Sequence, residues 1–229
     1  MRHAAVRPGD DLAALADRLD AGRWEMVELD VLAADGRLLV AHDAQDLTHP
    51  GALSFVDALS ALRDQLPERL ELDIDLKATG FELEALEAVR ECGLVGRSLF
   101  SSMHTSSLRV LRSAQPELRL GLSVPRARRD HLSHPATRPL ALVGLAALRR
   151  TLPRRAAAAV RSGLADAIMA HWATVTPALV AAVQAHGGEL YAWTVDDPDR
   201  ARRLAALGVN GVIANDTAAF AQIGDTAHR

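Results

Sequence analysis

The feature that most constrains this chain is a regular alternation of short apolar, strand-like runs with amphipathic helical runs along nearly all of its 229 residues. From Met26 onward the strand-like runs cover residues 26–32, 70–77, 98–101, 118–123, 165–170, 189–194 and 211–214, and a stub over residues 3–6 adds one more. Each is followed by a helical pattern. Leu12, Leu15 and Leu19 recur at helical spacing behind Asp10 and Asp11, with Gly22 as a stop. Residues 55–66 form a second helical run, and Leu83, Leu86 and Val89 mark a third that stops near Gly93. Thr105 reads as the cap of a helix over residues 106–114. Thr176-Pro177 and Asp197-Pro198 each open a helix with proline in the first turn, and Gly187 and Gly208 close them. Residues 125–161 read as mostly helical with breaks at Pro139 and Pro153, and a short helix is expected after Asp216. Strand–helix alternation implies a parallel sheet with helices outside it. Eight such units in this length predict an α/β fold, a closed (β/α)8 TIM barrel made as a single domain over residues 1–229. A doubly wound open sheet is the competing architecture, but no glycine-rich dinucleotide fingerprint follows any strand.

Composition narrows the class further. Hydrophobic residues make up 49% of the chain, enough for a sizeable core, and no apolar run reaches the ~18 residues of a membrane span. The N-terminus lacks the apolar region of a signal peptide. The single cysteine, Cys92, excludes an internal disulfide, so a reducing, cytoplasmic setting is expected. A net charge of −3 argues against a general nucleic-acid binder. The arginine-rich stretch between Arg126 and Arg155 reads as a solvated outer face, with an anionic partner as the alternative. Of 26 basic residues only Lys77 is lysine. In a chain that otherwise uses arginine, a lone lysine marks a place where a compact ammonium suits and a forked guanidinium does not.

The chemically richest stretch is residues 28–43. Glu28 and Asp30 stand two apart on a strand, so their carboxylates share a face. At about 5 Å the two charges repel by roughly 3 kcal/mol at an effective dielectric near 20, and a cation or a proton must relieve this. The Asp35-Gly36 turn sends the chain back through Leu38, Leu39 and Val40 to His42-Asp43, returning an imidazole towards the acid pair. Asp75 and Lys77, again two apart, end the next barrel strand; Asp73 shares their alternation and is expected deeper in the barrel. Trp193 ends a later one. In such barrels the active site lies at the C-terminal strand ends, where these residues fall. Three converging carboxylates suit Mg²⁺ or Ca²⁺ better than zinc. With Lys77 beside them the natural guest is a phosphate, and His42 is placed to move protons near neutral pH. The plainer alternative is a set of strand-end salt bridges with a structural histidine and a core tryptophan.

These motifs, in this order, resemble the glycerophosphodiester phosphodiesterase family. The family's acidic pair, Asp-Gly turn and His-Asp are matched by Glu28-Leu29-Asp30-Val31, Asp35-Gly36 and His42-Asp43. Its third acidic strand resembles Ile74-Asp75-Leu76-Lys77, and its Trp-Thr-Val resembles Trp193-Thr194-Val195. Its closing segment is similar to residues 208–216. The resemblance implies a TIM barrel and metal-dependent hydrolysis of a glycerophosphodiester to glycerol 3-phosphate and an alcohol. It implies Glu28, Asp30 and Asp75 as ligands of a divalent metal, Mg²⁺ or Ca²⁺. It further implies His42 as a catalytic histidine, Lys77 facing the phosphate and Trp193 lining the pocket. The family's opening His-Arg-Gly is replaced by His3-Ala4-Ala5, which leaves His3 as the other catalytic histidine and Arg7 as a stand-in for the phosphate-binding arginine. Its Pro-Glu-Asn-Thr becomes Pro8-Gly9-Asp10-Asp11, its third glutamate becomes Asp75, and the segment between His42 and Asp75 is short, which implies a more open site or a partner that completes it.

The expected partner is therefore a small phosphodiester, with neither nucleic acid nor a membrane span involved. Two other readings are kept beside this one. The altered opening motif suits a non-catalytic relative that binds phosphate compounds or another protein, and Lys77 suits a Schiff-base nucleophile in an aldolase-like barrel.

Overall fold

The computed structural model describes residues 2–5, 25–48, 52–65, 70–124 and 138–215. The strands are β1 (Arg2–Ala5), β2 (Met26–Ala34), β3 (Arg37–Val40), β4 (Glu71–Leu76), β5 (Ser98–Ser102), β6 (Arg119–Ser123), β7 (Ala167–His171), β8 (Glu189–Trp193) and β9 (Gly211–Ala214). The helices are α1 (Phe55–Gln65), α2 (Glu82–Glu91), α3 (Thr105–Ala114), α4 (Arg138–Arg161), α5 (Pro177–Gln184) and α6 (Pro198–Ala206). The sheet order is β1-β9-β8-β7-β6-β5-β4-β2-β3, and β1 also pairs with β2, so the ring closes. Every pairing is parallel except β2 with β3. This is the expected (β/α)8 barrel, with β3 an antiparallel flap hung on β2.

Alternation along the strands separates two apolar regions. Val27, Leu29 and Val31 of β2 and Leu72, Ile74 and Leu76 of β4 face outward and share a core with Phe55, Leu59 and Leu62 of α1 and Leu86 and Val89 of α2. The barrel interior holds Met26, Leu99, Ala167, Met169, Tyr191 and Ile213, with Trp193 packed against them. Gly121 leaves room in this interior: a Cβ there would lie 3.0 Å from Leu99 Cδ2, 3.1 Å from Ser101 Cβ and 3.2 Å from Met169 Cγ, so these neighbours would have to shift to admit it. Among the described residues, the acids nearest the mouth lie on β2 (Glu28, Asp30) and β4 (Asp73, Asp75).

The expected caps hold at two helices. Thr176 accepts a hydrogen bond from Leu179 N at 3.2 Å, and Asp197 accepts one from Asp199 N at 2.9 Å. Two expectations are corrected. Helix α3 begins at Thr105, so His104 takes the cap position, and no side chain caps the helix. Pro153 does not break its helix: it lies inside a continuous α4. A proline there costs about 3 kcal/mol of local helix preference. Against that, Leu152 and Ala156 on either side of it are buried in the main core, and Arg149 Nε donates to the Ala173 carbonyl at 2.7 Å. Pro139 falls in the first turn, where proline is tolerated. Arg149, Arg150, Arg154 and Arg155 are exposed, as a solvated face requires. The helices expected after Asp10 and after Asp216 lie outside the described residues. No helix among the described residues is long and apolar enough to cross a membrane.

Candidate active site at the mouth of the barrel

The β2–β3 hairpin sets the position of the return loop. Asp35 (φ 49°) and Gly36 (φ 70°) both adopt positive φ, the two-residue turn that Asp-Gly favours. Ala41 N donates to the Asp30 carbonyl at 2.9 Å, which ties the loop to the middle of β2, level with the end of β4. His42 follows at once. Its backbone N–H and that of Asp43 donate to Asp46 Oδ2 at 2.9 and 3.0 Å, while Asp43 Oδ1 accepts from the backbone of Gln45 and Asp46. The loop is thereby pinned with the His42 side chain exposed at the rim.

The expected carboxylates converge. Glu28, Asp30 and Asp75 each offer an oxygen, and these lie within 4.8 Å of one another. The register explains the meeting: Asp30 is the direct neighbour of Asp75 across the β2–β4 pair, and Glu28 of Asp73. Lys77 lies inside this group. Its Nζ is 2.5 Å from Asp75 Oδ2 and 2.7 Å from Asp30 Oδ1. Both contacts pair the ammonium with a carboxylate, and the one to Asp75 also has the direction of a hydrogen bond. Asp73 sits below, fully buried as expected from the alternation. One of its oxygens accepts from Ser101 Oγ at 2.7 Å and the other has no partner.

The electrostatics follow from this crowding. Burial, then Asp30 and Asp73, push Glu28 well above the usual carboxylate range. Burial also raises Asp30, although the Lys77 ammonium opposes it. Burial and the Asp75 charge carry Asp73 up to about 8, so it is protonated at neutral pH. For Lys77, burial works against the charge, but Asp75, Asp30 and Glu28 outweigh it and raise its pKa. A lysine held cationic is a poor amine nucleophile, which removes the physical basis for the Schiff-base reading.

The three mouth carboxylates share one ammonium, and the burial and mutual repulsion that raise Glu28 and Asp30 are relieved by a proton or by a further cation. One divalent cation supplies the opposite charge, and its hard oxygen preference matches the donor set. Glu28, Asp30 and Asp75 are therefore able to hold such an ion. The other acidic group, His42 with Asp43 and Asp46, is exposed, and its carboxylates are engaged by the backbone of its own turn.

Across the mouth stand β7 and β8, half-way round the ring from β2 and β4. Trp193 ends β8, packed against the interior cluster, and pairs in register with His171 at the end of β7. His3 pairs in backbone register with Met26 of β2 and Ile213 of β9. Arg7 lies outside the described residues. Residues not singled out from sequence also face this interior. Ser101 is two beyond interior Leu99 on β5, and His171 two beyond interior Met169 on β7. Alternation within these strands is the signal that marks them, and β7 runs one residue beyond the apolar stretch that ends at Ala170, to His171. Trp172 follows directly, and Arg200 from α6 lies over its ring at 3.8 Å from the centroid.

Comparison with known proteins bears on this arrangement. Several solved structures share the fold. A Silicibacter pomeroyi protein, named provisionally as a glycerophosphoryl diester phosphodiesterase, aligns with TM-score 0.73 and 18% identity over 95% of this chain and 90% of that one. A glycerophosphodiester phosphodiesterase from Agrobacterium tumefaciens aligns with TM-score 0.66 and 20% identity over 96% of each chain. An Oleispira antarctica phosphodiesterase, solved with the product sn-glycerol-3-phosphate, aligns with TM-score 0.65 and 18% identity over 94% of this chain and 92% of that one. Comparison with curated protein sequences gave no match. Residues 62–219 match the sequence profile of the glycerophosphoryl diester phosphodiesterase family, a span that includes Asp75, Lys77 and Trp193 and begins after Glu28, Asp30 and His42. The chain belongs to the glycerophosphoryl diester phosphodiesterase family.

Proposed function

We propose that this chain hydrolyses a glycerophosphodiester to glycerol 3-phosphate and an alcohol, and that it does so with a divalent ion, Mg²⁺ or Ca²⁺, on Glu28, Asp30 and Asp75. The observation that carries the reading is the convergence of these three carboxylates around Lys77 at the barrel mouth, in a member of this family. When bound, such an ion would supply Lewis acidity at the phosphoryl group.

The chain's own residues do the rest. Lys77, kept cationic by its acidic neighbours, offers its ammonium to the phosphoryl oxygens and stabilises charge as it builds there. His42 moves a proton between the attacking group and the leaving oxygen. Its loop is pinned to β2 through Ala41, which keeps the imidazole beside the carboxylates and lets its charge act on Asp30. His3 is the second proton-transfer candidate, carried on β1 next to β2. Arg7 is assigned a phosphate contact on sequence grounds alone. Trp193 forms one wall of the pocket opposite the acids.

The test is hydrolysis of glycerophosphodiesters by the purified protein with Mg²⁺ or Ca²⁺. Turnover that stops on chelation and in Glu28→Ala is expected. Turnover that survives chelation, or that is unchanged in Glu28→Ala, contradicts the reading.

A further inference from the structure

The arginine-rich stretch takes no part in the site described above, and its charge is one-sided. Residues 125–161 carry nine arginines and one acid, Asp130, in a chain whose net charge is −3. Helix α4 itself has six arginines and no acidic residue. Five of them, Arg149, Arg150, Arg154, Arg155 and Arg161, are exposed. By helical geometry Arg150, Arg154 and Arg161 fall within about 40° of one another, along a stripe about 16 Å long. Exposed Val143, seven residues before Arg150, stands on the same stripe. None of the five arginines has an acidic partner among the described residues, whereas Arg63, Arg90 and Arg202 on other helices pair with Asp64, Glu87 and Asp199. Arg150 and Arg154 are four apart, a spacing at which like charges destabilise a helix, so the face lacks the alternating signs of an ordinary solvated helix.

We propose that this face of α4 docks the protein on an anionic phospholipid surface, with Arg150, Arg154 and Arg161 against the lipid phosphates. The inference is independent of the phosphodiesterase reading. Positive charge is confined to one flank of the barrel. The helices before and after α4, α3 and α5, carry no acidic residue, while α1 and α2, further round the ring, expose Asp57, Asp64, Glu84, Glu87 and Glu91. A flat anionic surface meets the basic flank without meeting those acids. A nucleic acid long enough to wrap the barrel does meet them, and α4 offers no aromatic ring for a base to stack on. Guanidinium forks match phosphate oxygens, and each basic residue beside an anionic bilayer strengthens attachment by about fivefold. An exposed apolar side chain among the charges, here Val143, is a feature of helices that lie in a lipid interface.

The test is co-sedimentation of the purified protein with vesicles of phosphatidylcholine alone and of phosphatidylcholine mixed with anionic phosphatidylglycerol. Binding to the mixed vesicles only is expected at about 0.1 M salt, with its loss near about 1 M, where the screening length falls to about 3 Å. Arg150→Gln combined with Arg154→Gln is expected to weaken partitioning by about 25-fold. Arg63→Gln combined with Arg90→Gln removes the same charge from α1 and α2, and is expected to weaken it by less than about fivefold. Circular dichroism of each variant is expected to show the helix content of wild type. Sedimentation with neither vesicle type, equal sedimentation with both, or equal losses in the two double variants overturns the proposal. Tighter binding to duplex DNA than to the mixed vesicles, lost in Arg150→Gln with Arg154→Gln, assigns the face to nucleic acid and overturns it as well.

Discussion

The barrel contains two charged clusters that share strand β4, and they differ in how completely each satisfies itself. At the N-terminal end, Arg119 of β6 bridges Glu71 of β4 at 2.6 Å and Glu189 of β8 at 3.0 Å, and Tyr191 OH donates to Glu189 at 2.8 Å. The three strands alternate round the ring, the arrangement by which barrel interiors fill layer by layer. Each carboxylate there has its own donor, and all three charged side chains reach partway to solvent. At the C-terminal end, β4 again supplies acids, but three mouth carboxylates share one lysine, and Asp73 below them has one buried oxygen without a partner and is pushed up to about 8 by burial and the Asp75 charge. The lower cluster is finished as structure. The upper one is left with charge that a ligand must answer, which is the mark of a site that trades stability for function.

The sharpest way to break this comparison is to neutralise one group in each cluster. Glu28→Gln is expected to lower phosphodiesterase kcat/KM by about 10³-fold or more, the scale of several kcal/mol of lost charge stabilisation. With chelator present, the same change should leave the fold as stable or more stable, because it removes a carboxyl whose ionised form burial and acidic neighbours disfavour. Chemical denaturation beside the activity assay reads both. A destabilised Glu28→Gln would mean that the upper cluster is structural after all.

Arg119→Ala is the mirror experiment. It leaves Glu71 and Glu189 facing each other without their shared donor, and is expected to cost about 2 kcal/mol of unfolding free energy. The kcat/KM of the folded protein should be unchanged, since the cluster lies at the opposite end of the barrel from the mouth.

A smaller effect tests the layer between. Asp73 holds its proton in the folded protein up to about pH 8 but loses it near 4 when unfolded. Between those values the folded state binds the extra proton, so stability falls as pH rises. In the presence of chelator, unfolding monitored from pH 5 to 8 should show this decline in wild type and a flatter curve in Asp73→Asn. An equally steep curve in Asp73→Asn would place the titrating group elsewhere.

Most of this architecture was legible in the sequence because it rests on short-range rules. Alternation of strand and helix patterns set the barrel; two-residue spacing put Glu28 with Asp30, and Asp75 with Lys77, on shared faces; Asp35-Gly36 announced the hairpin. What escaped depends on neighbours distant in the chain. Lys77 was expected to face a phosphate, yet which oxygens its ammonium meets is decided by the β2–β4 register. Pro153 reads as a break until the burial of Leu152 and Ala156 is known. Arg200 is one arginine among many until the ring of Trp172 is found beneath it.

The central claim is that carboxylates from two adjacent strands jointly hold one divalent ion. Isothermal titration of metal-stripped protein with Mg²⁺ and with Ca²⁺ tests it most directly. Saturable binding of one ion per chain is expected in wild type and in Arg119→Ala, and its loss in Asp75→Asn. The absence of binding in folded wild type, or the same affinity in Asp75→Asn, would contradict the account.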